Sequence, residues 1–346
     1  MRVLLTGHLG YLGTVMAPIL TAAGHDVTGL DNGYFEDSVL GPYPNDPPSI
    51  SRDLRDVEPA DLVGFDAVIH LAALSNDPLG SLEPEITHDI NHHGSVRLAK
   101  AAKEAGVSRF LYASTCSVYG AAGDGLVAED APLRPVTPYA ESKVRVEGDV
   151  AAIADSGFTP VFLRNATAFG FSPRLRADIV LNNLVGHAVL TGQVKVLSDG
   201  TPWRPLVHAR DIAEAFRVCL TAPADVVSGQ AYNVGTEVNN LTVAQIAEHV
   251  VDAVPGSKLA ITGETGADTR SYRVDFSKAR DEIGFTAAWS VADGAAELAK
   301  AYTEYGLTQE AFTQRFVRLA TLERLRAADV LDDSMRRLGA VARVMS

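Results

Sequence analysis

The chain has 346 residues, 47% of them hydrophobic and 21% charged, with a formal net charge of −13 at pH 7. That length is enough for two lobes and a large buried core. The negative balance excludes the broad basic surface that nucleic acid or an anionic membrane requires, though not a small anion read by a few local donors.

Cys116 and Cys219 are the two cysteines. They are too few and too far apart to make a disulfide framework, and no C-x-x-C or His/Cys cluster points to a metal. His92 and His93 are adjacent, and adjacent residues on a helix point in different directions, so no metal is expected there either. No basic stretch followed by an apolar run opens the chain, and no apolar segment reaches about 18 residues. A secretory signal and a membrane span are therefore not expected, and a cytoplasmic location is.

Residues 3–6 read as a strand that runs directly into Gly7-His8-Leu9-Gly10-Tyr11-Leu12-Gly13 and then a helix over 11–23. Glycines so placed allow a tight turn, a close approach of backbone to pyrophosphate, and close packing of helix on strand, while the helix start presents its N–H groups to the phosphates. A second strand, 26–31, ends in Asp31, followed by Asn32 and Gly33. Alone, Asp31 would read as a turn-forming acid. About 20 residues past the glycines it falls where an acid binds the adenosine ribose hydroxyls, and its charge would repel a 2′-phosphate. With no Arg or Lys in the glycine loop or just after Asp31, the expected cofactor is NAD and not NADP.

The third strand, 67–72, is continuously apolar around His70, which suits a strand covered on both faces. A helix over 90–105, a strand over 109–114, a helix over 138–156 and a strand over 159–163 follow. Strands alternating with helices imply βαβ units and a parallel sheet. The strand at 109–114 leads into Ser114-Thr115-Cys116-Ser117-Val118-Tyr119-Gly120, and the next helix opens with Thr137 as cap and Pro138 at its first position. Tyr139 and Lys143 then stand one turn apart on one helix face. A free phenol titrates near pH 10 and is a poor base at neutrality; an adjacent ammonium and the cationic nicotinamide favour the phenolate. Thr115 supplies a neutral hydroxyl to orient the substrate oxygen.

After Gly170 the pattern loosens. Residues 171–205, rich in Arg, Asn, Gly and Pro, read as a helix over 179–191 flanked by loops. A strand over 231–234 and helices over 243–254 and 291–305 follow, and residues 308–338 form one or two amphipathic helices whose role, packing or oligomer contact, stays open. The expected architecture is α/β: a Rossmann-type doubly wound parallel sheet with a smaller, interleaved C-terminal substrate-binding lobe. The expected division is a dinucleotide domain over 1–170, with later strands near 205–236 returning to it, a substrate lobe over 171–305, and a helical extension over 306–346.

With the glycine loop, His70-Leu71-Ala72-Ala73, Asn91, Thr115 before Val118-Tyr119-Gly120, and Tyr139 with Lys143 in place, the chain resembles the extended short-chain dehydrogenases of the nucleotide-sugar epimerase/dehydratase family, from Met1 to about Leu298. The resemblance implies that Asp53 and Leu54 flank the adenine, that Leu71, Ala72 and Ala73 line the cofactor with Ser114, and that Asn91 supports the site. Arg204, in Thr201-Pro202-Trp203-Arg204-Pro205, matches the family's contact to the nucleotide diphosphate, with Asp211 following. Arg270, in Asp268-Thr269-Arg270-Ser271-Tyr272, resembles a second phosphate contact. Arginine suits both, because its planar fork binds phosphate oxygens bidentately. Arg174 and Arg176 are further candidates, and Asn182, Asn183 and Ser75 are placed to meet sugar or phosphate. Where many family members have asparagine three residues before the glycine of their Tyr-Gly motif, this chain has Thr167 before Gly170, with Asn165 as the nearby amide. Helices 90–105 and 138–156 resemble those of the family's four-helix contact, so a homodimer is expected.

The residues after Thr115 bear on the reaction. Family dehydratases place an Asp-Glu pair there, because eliminating water needs an acid and a base beside the sugar, and related decarboxylases keep a glutamate. Here Cys116 and Ser117 stand instead, so oxidation and reduction at one carbon is the chemistry left. The leading expectation is an NAD-dependent epimerase of a nucleoside diphosphate sugar, working through a 4-keto intermediate with Tyr139 as base. The alternative is a ketosugar 4-reductase that exchanges its cofactor. A non-catalytic dinucleotide sensor would be expected to lose Tyr139 or Lys143 and comes last.

Overall fold

The computed structural model describes residues 1–75, 83–121, 125–263 and 270–338. Seven parallel strands form the main sheet: β1 (Arg2–Thr6), β2 (Asp26–Asp31), β3 (Ser49–Ser51), β4 (Ala67–His70), β5 (Arg109–Thr115), β6 (Thr159–Asn165) and β7 (Ala231–Val234). Their spatial order is β7-β6-β5-β4-β1-β2-β3, with every pairing parallel. Central strands such as β4 and β6 are buried at every residue, as a sheet covered on both faces requires. Helices α1 (Tyr11–Ala22) and α5 (Ala209–Thr221) cover one face; α2 (Ser95–Glu104) and α3 (Pro138–Ala151) cover the other. The order reverses between β1 and β4, which opens a crevice at the carboxyl ends of those strands.

A second cluster of buried apolar residues joins α4 (Val180–Thr191), α6 (Val243–Ala253) and α7 (Val291–Glu304). Short sheets edge it. Trp203–His208 pairs with Thr167–Phe169 and with Asn240–Thr242, and Gln193–Val196 pairs with Lys258–Ile261. Of the strands between 205 and 236, Ala231–Val234 lies in the large sheet, whereas Trp203–His208 stands in this separate three-stranded sheet.

Several boundaries move for local reasons. The helix expected over 138–156 stops at Ala151, because Asp155 and Phe158 close a tight turn, with the Gly157 N–H donating to the Asp155 carboxylate. Before α2 the chain takes a wider, π-type turn over His88–Gly94, where Asn91 turns inward to bond the backbone of Leu74. Helix α5 escapes the pattern reading although Ile212, Phe216, Cys219 and Leu220 recur at helical spacing; all are fully buried against the sheet. Beyond residue 307 a π-type turn, Ala311–Arg315, leads to α8 (Arg318–Ala327). Leu322, Leu325, Leu331 and Met335 pack there on Tyr34, Leu74 and Ile90. The C-terminal segment therefore lies on the β1–β3 half of the molecule. No helix among the described residues is long and apolar enough to cross a membrane.

Candidate active site

The crevice is a cleft of about 1010 Å³ that runs from the β2 end of the sheet to Arg204 and Arg270. Its floor is the turn after β1. Gly7 has φ +75°, and a Cβ there would sit 2.8 Å from the backbone N of Ala72; a Cβ on Gly13 would sit 2.3 Å from the Gly7 carbonyl oxygen. Only glycine lets the β1 turn lie this close to the segment after β4 and lets α1 start against the turn. Gly10, the cap of α1, provides no side-chain bond to the first turn, which leaves first-turn N–H groups without a side-chain partner, as a phosphate site at a helix start requires. These features fit the pyrophosphate of a dinucleotide.

The neighbouring expectations fall along the same floor. Gly10, Tyr11, Leu12, Asp31, Asn32, Asp53, Leu54, Leu71, Ala72 and Ala73 all line the cleft. Asp31 accepts from Leu9 N (3.1 Å) and Gly33 N (2.8 Å), so the acid holds both the glycine loop and the turn after β2. Burial alone would raise the Asp53 carboxyl, but the hydrogen bonds from Arg55 outweigh it and hold the group below its ordinary range. The Tyr11 hydroxyl donates to Gly170 O (2.7 Å) and ties the cleft floor to the second lobe. Asn91 is fully buried behind the cleft and holds Leu74 at both backbone groups, 2.8 and 3.0 Å.

A buried relay explains the apolar strand's histidine. His70 Nε2 stands 2.8 Å from Ser95 Oγ, which donates to Asn91 O, so Nε2 carries the proton; Nδ1 then accepts from Thr6 Oγ1 (2.7 Å). Burial, helped by the Lys143 charge, pushes this imidazole down to about 3 and keeps it neutral. The relay joins β1, β4 and α2 just below the cofactor cradle.

Thr115, Tyr139 and Lys143 all line the middle of the cleft. Thr137 caps α3 by accepting from Ala140 N (3.2 Å), which sets the register that puts Tyr139 and Lys143 one turn apart. Lys143 Nζ donates to Ala113 O (2.7 Å) and lies 5.6 Å from the centre of the Tyr139 ring. Burial brings Lys143 down to about 7, against the upward pull of Glu147. Glu147 in turn is paired with buried Arg164 and accepts from Ser114 Oγ. The Ser114 hydroxyl is thus engaged behind the strand, and the residue meets the cleft as part of its wall. Thr115 Oγ1 accepts from Ser117 N (3.1 Å) and stays at the cleft surface. The Cys116 thiol points away, donating to Arg164 O, and burial pushes it well above its usual range.

At the far end, Arg204 and Arg270 line the cleft side by side, Arg204 donating to the Arg270 carbonyl. Asp268 and Thr269, from the motif around Arg270, lie outside the described residues. Asn165 and Thr167 also line it; Asn165 Nδ2 donates to Ser114 O (3.3 Å), and its buried Oδ1 has no partner among the described residues. Asn183 reaches the cleft while donating to Ala177 O (2.9 Å), whereas Asn182 is buried and holds Gly170. Asp211 is an anchor, accepting from Ala288 N and Trp289 N.

Arg174 requires a correction. It does not line the cleft: it is 4% exposed, donates to Phe35 O (2.9 Å) and lies over the Tyr43 ring. It fixes the loop after β2 and is not placed to touch substrate. Arg176, two residues on, faces the cleft, clasped by Asp178 at 2.9 and 3.0 Å and reaching Ser75 Oγ at 3.2 Å. Sequence reasoning also missed Tyr272, Phe35 and Arg318, which all line the cleft. Tyr272 was signalled by the motif that carries Arg270; the other two have no local signature.

Residues 3–235 match the model of the NAD dependent epimerase/dehydratase family. The UDP-glucose 4-epimerase of Mycolicibacterium smegmatis is 30% identical over 86% of this chain and 97% of its own length. The dTDP-glucose 4,6-dehydratase of Streptomyces niveus is 29% identical over 88% of this chain and 93% of its own. Among solved structures, MoeE5 in complex with UDP-glucuronic acid and NAD aligns with TM-score 0.76 and 29% identity, covering 88% of this chain and 99% of that one.

Proposed function

The chain belongs to the NAD dependent epimerase/dehydratase family, an NAD-dependent family of enzymes on sugar nucleotides, and within it we propose that this protein is a 4-epimerase of a nucleoside diphosphate sugar. The observation that carries the reading is the company Tyr139 keeps. It shares a cleft with the glycine cradle, with Lys143 one turn away, and the stretch after Thr115 offers no carboxylate. Among the described residues, the carboxylates lining the cleft are Asp31 and Asp53 at the cradle end and Asp178, which is clasped by Arg176. None of these is a free acid beside Thr115, so loss of water from the sugar is poorly served.

In this reading Gly7, Gly10, Gly13, Asp31 and Asp53 hold the dinucleotide, and Arg204 and Arg270 hold the substrate diphosphate. Bound NAD supplies a hydride acceptor and donor at the sugar C4. Thr115 orients the C4 hydroxyl, and Tyr139 removes its proton. The Lys143 ammonium offsets the phenolate charge, and that charge in turn favours the ammonium over the neutral amine that burial prefers. The 4-keto sugar turns over in the cleft, the hydride would return to the opposite face of C4, and Tyr139 gives the proton back to the C4 oxygen. A homodimer through α2 and α3 and a cytoplasmic location go with the reading, the former testable by light scattering.

The test is interconversion of UDP-glucose and UDP-galactose, then of other nucleoside diphosphate sugars, by freshly purified protein without added cofactor. Turnover under these conditions, lost in Tyr139→Phe with NAD still bound, is expected. Strict dependence on added reduced cofactor would point to the ketosugar reductase instead.

A further inference from the structure

The C-terminal segment, outside the matched family region of 3–235, is built into the wall of the cleft. Arg337 donates to the carbonyls of Asn32 and Gly33, and Tyr34 donates to Met335 O. Arg55, beside Asp53, donates to Ser334 O (2.8 Å). On the other side, Ala177 N donates to Phe316 O (2.9 Å), and Ser38 Oγ to Arg315 O (2.9 Å). The segment thus fastens onto the turn after β2, which would carry the adenosine ribose, and onto the strip that holds Arg176.

Arg318, the first residue of α8, projects from this strap. It is 4% exposed yet lines the cleft. Its guanidinium lies 4.1 Å from the centre of the Phe35 ring, and Nη2 donates to Arg174 O (3.1 Å). Nη1 has no hydrogen-bond partner, and no carboxylate pairs with the group among the described residues. A buried cation left unpaired is costly, and proteins pair such groups or neutralise them. Burial, with Arg176 and Arg174 close by, pulls Arg318 down to about 9. An anion is the missing partner. The charges that act on Arg318 are those of Arg176, Asp178, Arg174 and Asp31, and the Phe35 ring lies against it. Asp31, which holds the glycine turn through Leu9 N, marks the cradle end of the cleft, and Arg204 and Arg270 are not among these neighbours.

We infer that Arg318 is a cofactor-binding residue, contributed by the C-terminal strap, that receives the pyrophosphate of the dinucleotide from the side opposite the glycine turn. The strap then makes the cofactor a resident part of the protein, since release requires the α8 segment to lift. The inference rests on dinucleotide binding and not on chemistry at C4, so failure of the epimerase assay leaves it standing.

The experiment uses cofactor-stripped full-length protein and calorimetric titration with NADH, ADP-ribose and adenosine. Arg318→Met keeps the packing on Phe35 but removes the charge. It is expected to weaken NADH and ADP-ribose about 10- to 100-fold, leave adenosine within about twofold, and leave UDP binding in the presence of saturating NADH unchanged. Arg318→Lys should recover part of the loss. Equal weakening of adenosine and ADP-ribose would reduce Arg318 to a wall residue, and a loss confined to UDP would assign it to the substrate; either overturns the inference. Should both variants misfold, a crystal structure of the wild type with ADP-ribose decides: a phosphate oxygen within hydrogen-bond reach of Nη1 is required.

Discussion

Lys143 places a cost on the fold that is measurable without any substrate. It is 2% exposed, and burial brings its folded-state value to about 7, while the unfolded chain keeps the proton up to about pH 10.4. Between those values the unfolded state binds more protons than the folded one, so stability rises with pH across this window. Below about pH 7 both states are charged, and the full penalty applies. The slope is at most about 1.4 kcal/mol per pH unit, and from about pH 7.5 to about pH 9.5 it amounts to roughly 2–3 kcal/mol. Lys143→Met fills similar volume with no charge. Urea unfolding of cofactor-stripped wild type and variant, at half-unit pH steps, isolates this one group, because all other titrations are shared. The variant should be the more stable near pH 7, with the advantage shrinking toward pH 9.5, and it should lose turnover. Parallel curves for the two proteins would refute the argument that burial, only partly offset by Glu147, governs this amine.

Other perturbations follow from the same geometry. Gly7→Ala forces a side chain into positive φ and against Ala72 N; a loss of about 2–3 kcal/mol in urea unfolding, with little NAD retained on purification, is expected. Glu147→Leu strands the buried guanidinium of Arg164 and should cost about 3–5 kcal/mol in the same assay. Arg204→Met should raise the KM for the nucleotide sugar about 10- to 100-fold with little change in kcat. Arg174→Met should leave that KM unchanged and lower the melting temperature, by the equivalent of about 1–3 kcal/mol, since this arginine holds the loop after β2.

The features that the linear chain determined are those with a local period or a fixed spacing. Parallel strands buried on both faces must be apolar throughout, so β1, β4 and β5 were legible as runs. The glycine turn and the pairing of Tyr139 with Lys143 were legible because one helical turn, or one tight turn, brings the residues together whatever the rest of the chain does. Asp31 was legible for the same reason, being carried by β2 alongside β1. Tertiary structure decided the rest. Arg174 and Arg176 stand two apart in an irregular segment, where no period tells which faces the cleft; contact with Phe35 and Tyr43 draws the first away, and the second meets Asp178 and Ser75. Whether Trp203–His208 joins the large sheet depends on its pairing with Thr167–Phe169 and Asn240–Thr242, which is a long-range choice. Arg318 reaches the cleft only because a chain segment some 300 residues from the glycine turn folds back onto the first lobe. Hydrogen bonds and burial made across such separations leave no imprint on local pattern, since many sequences satisfy them and no neighbouring residue signals the contact.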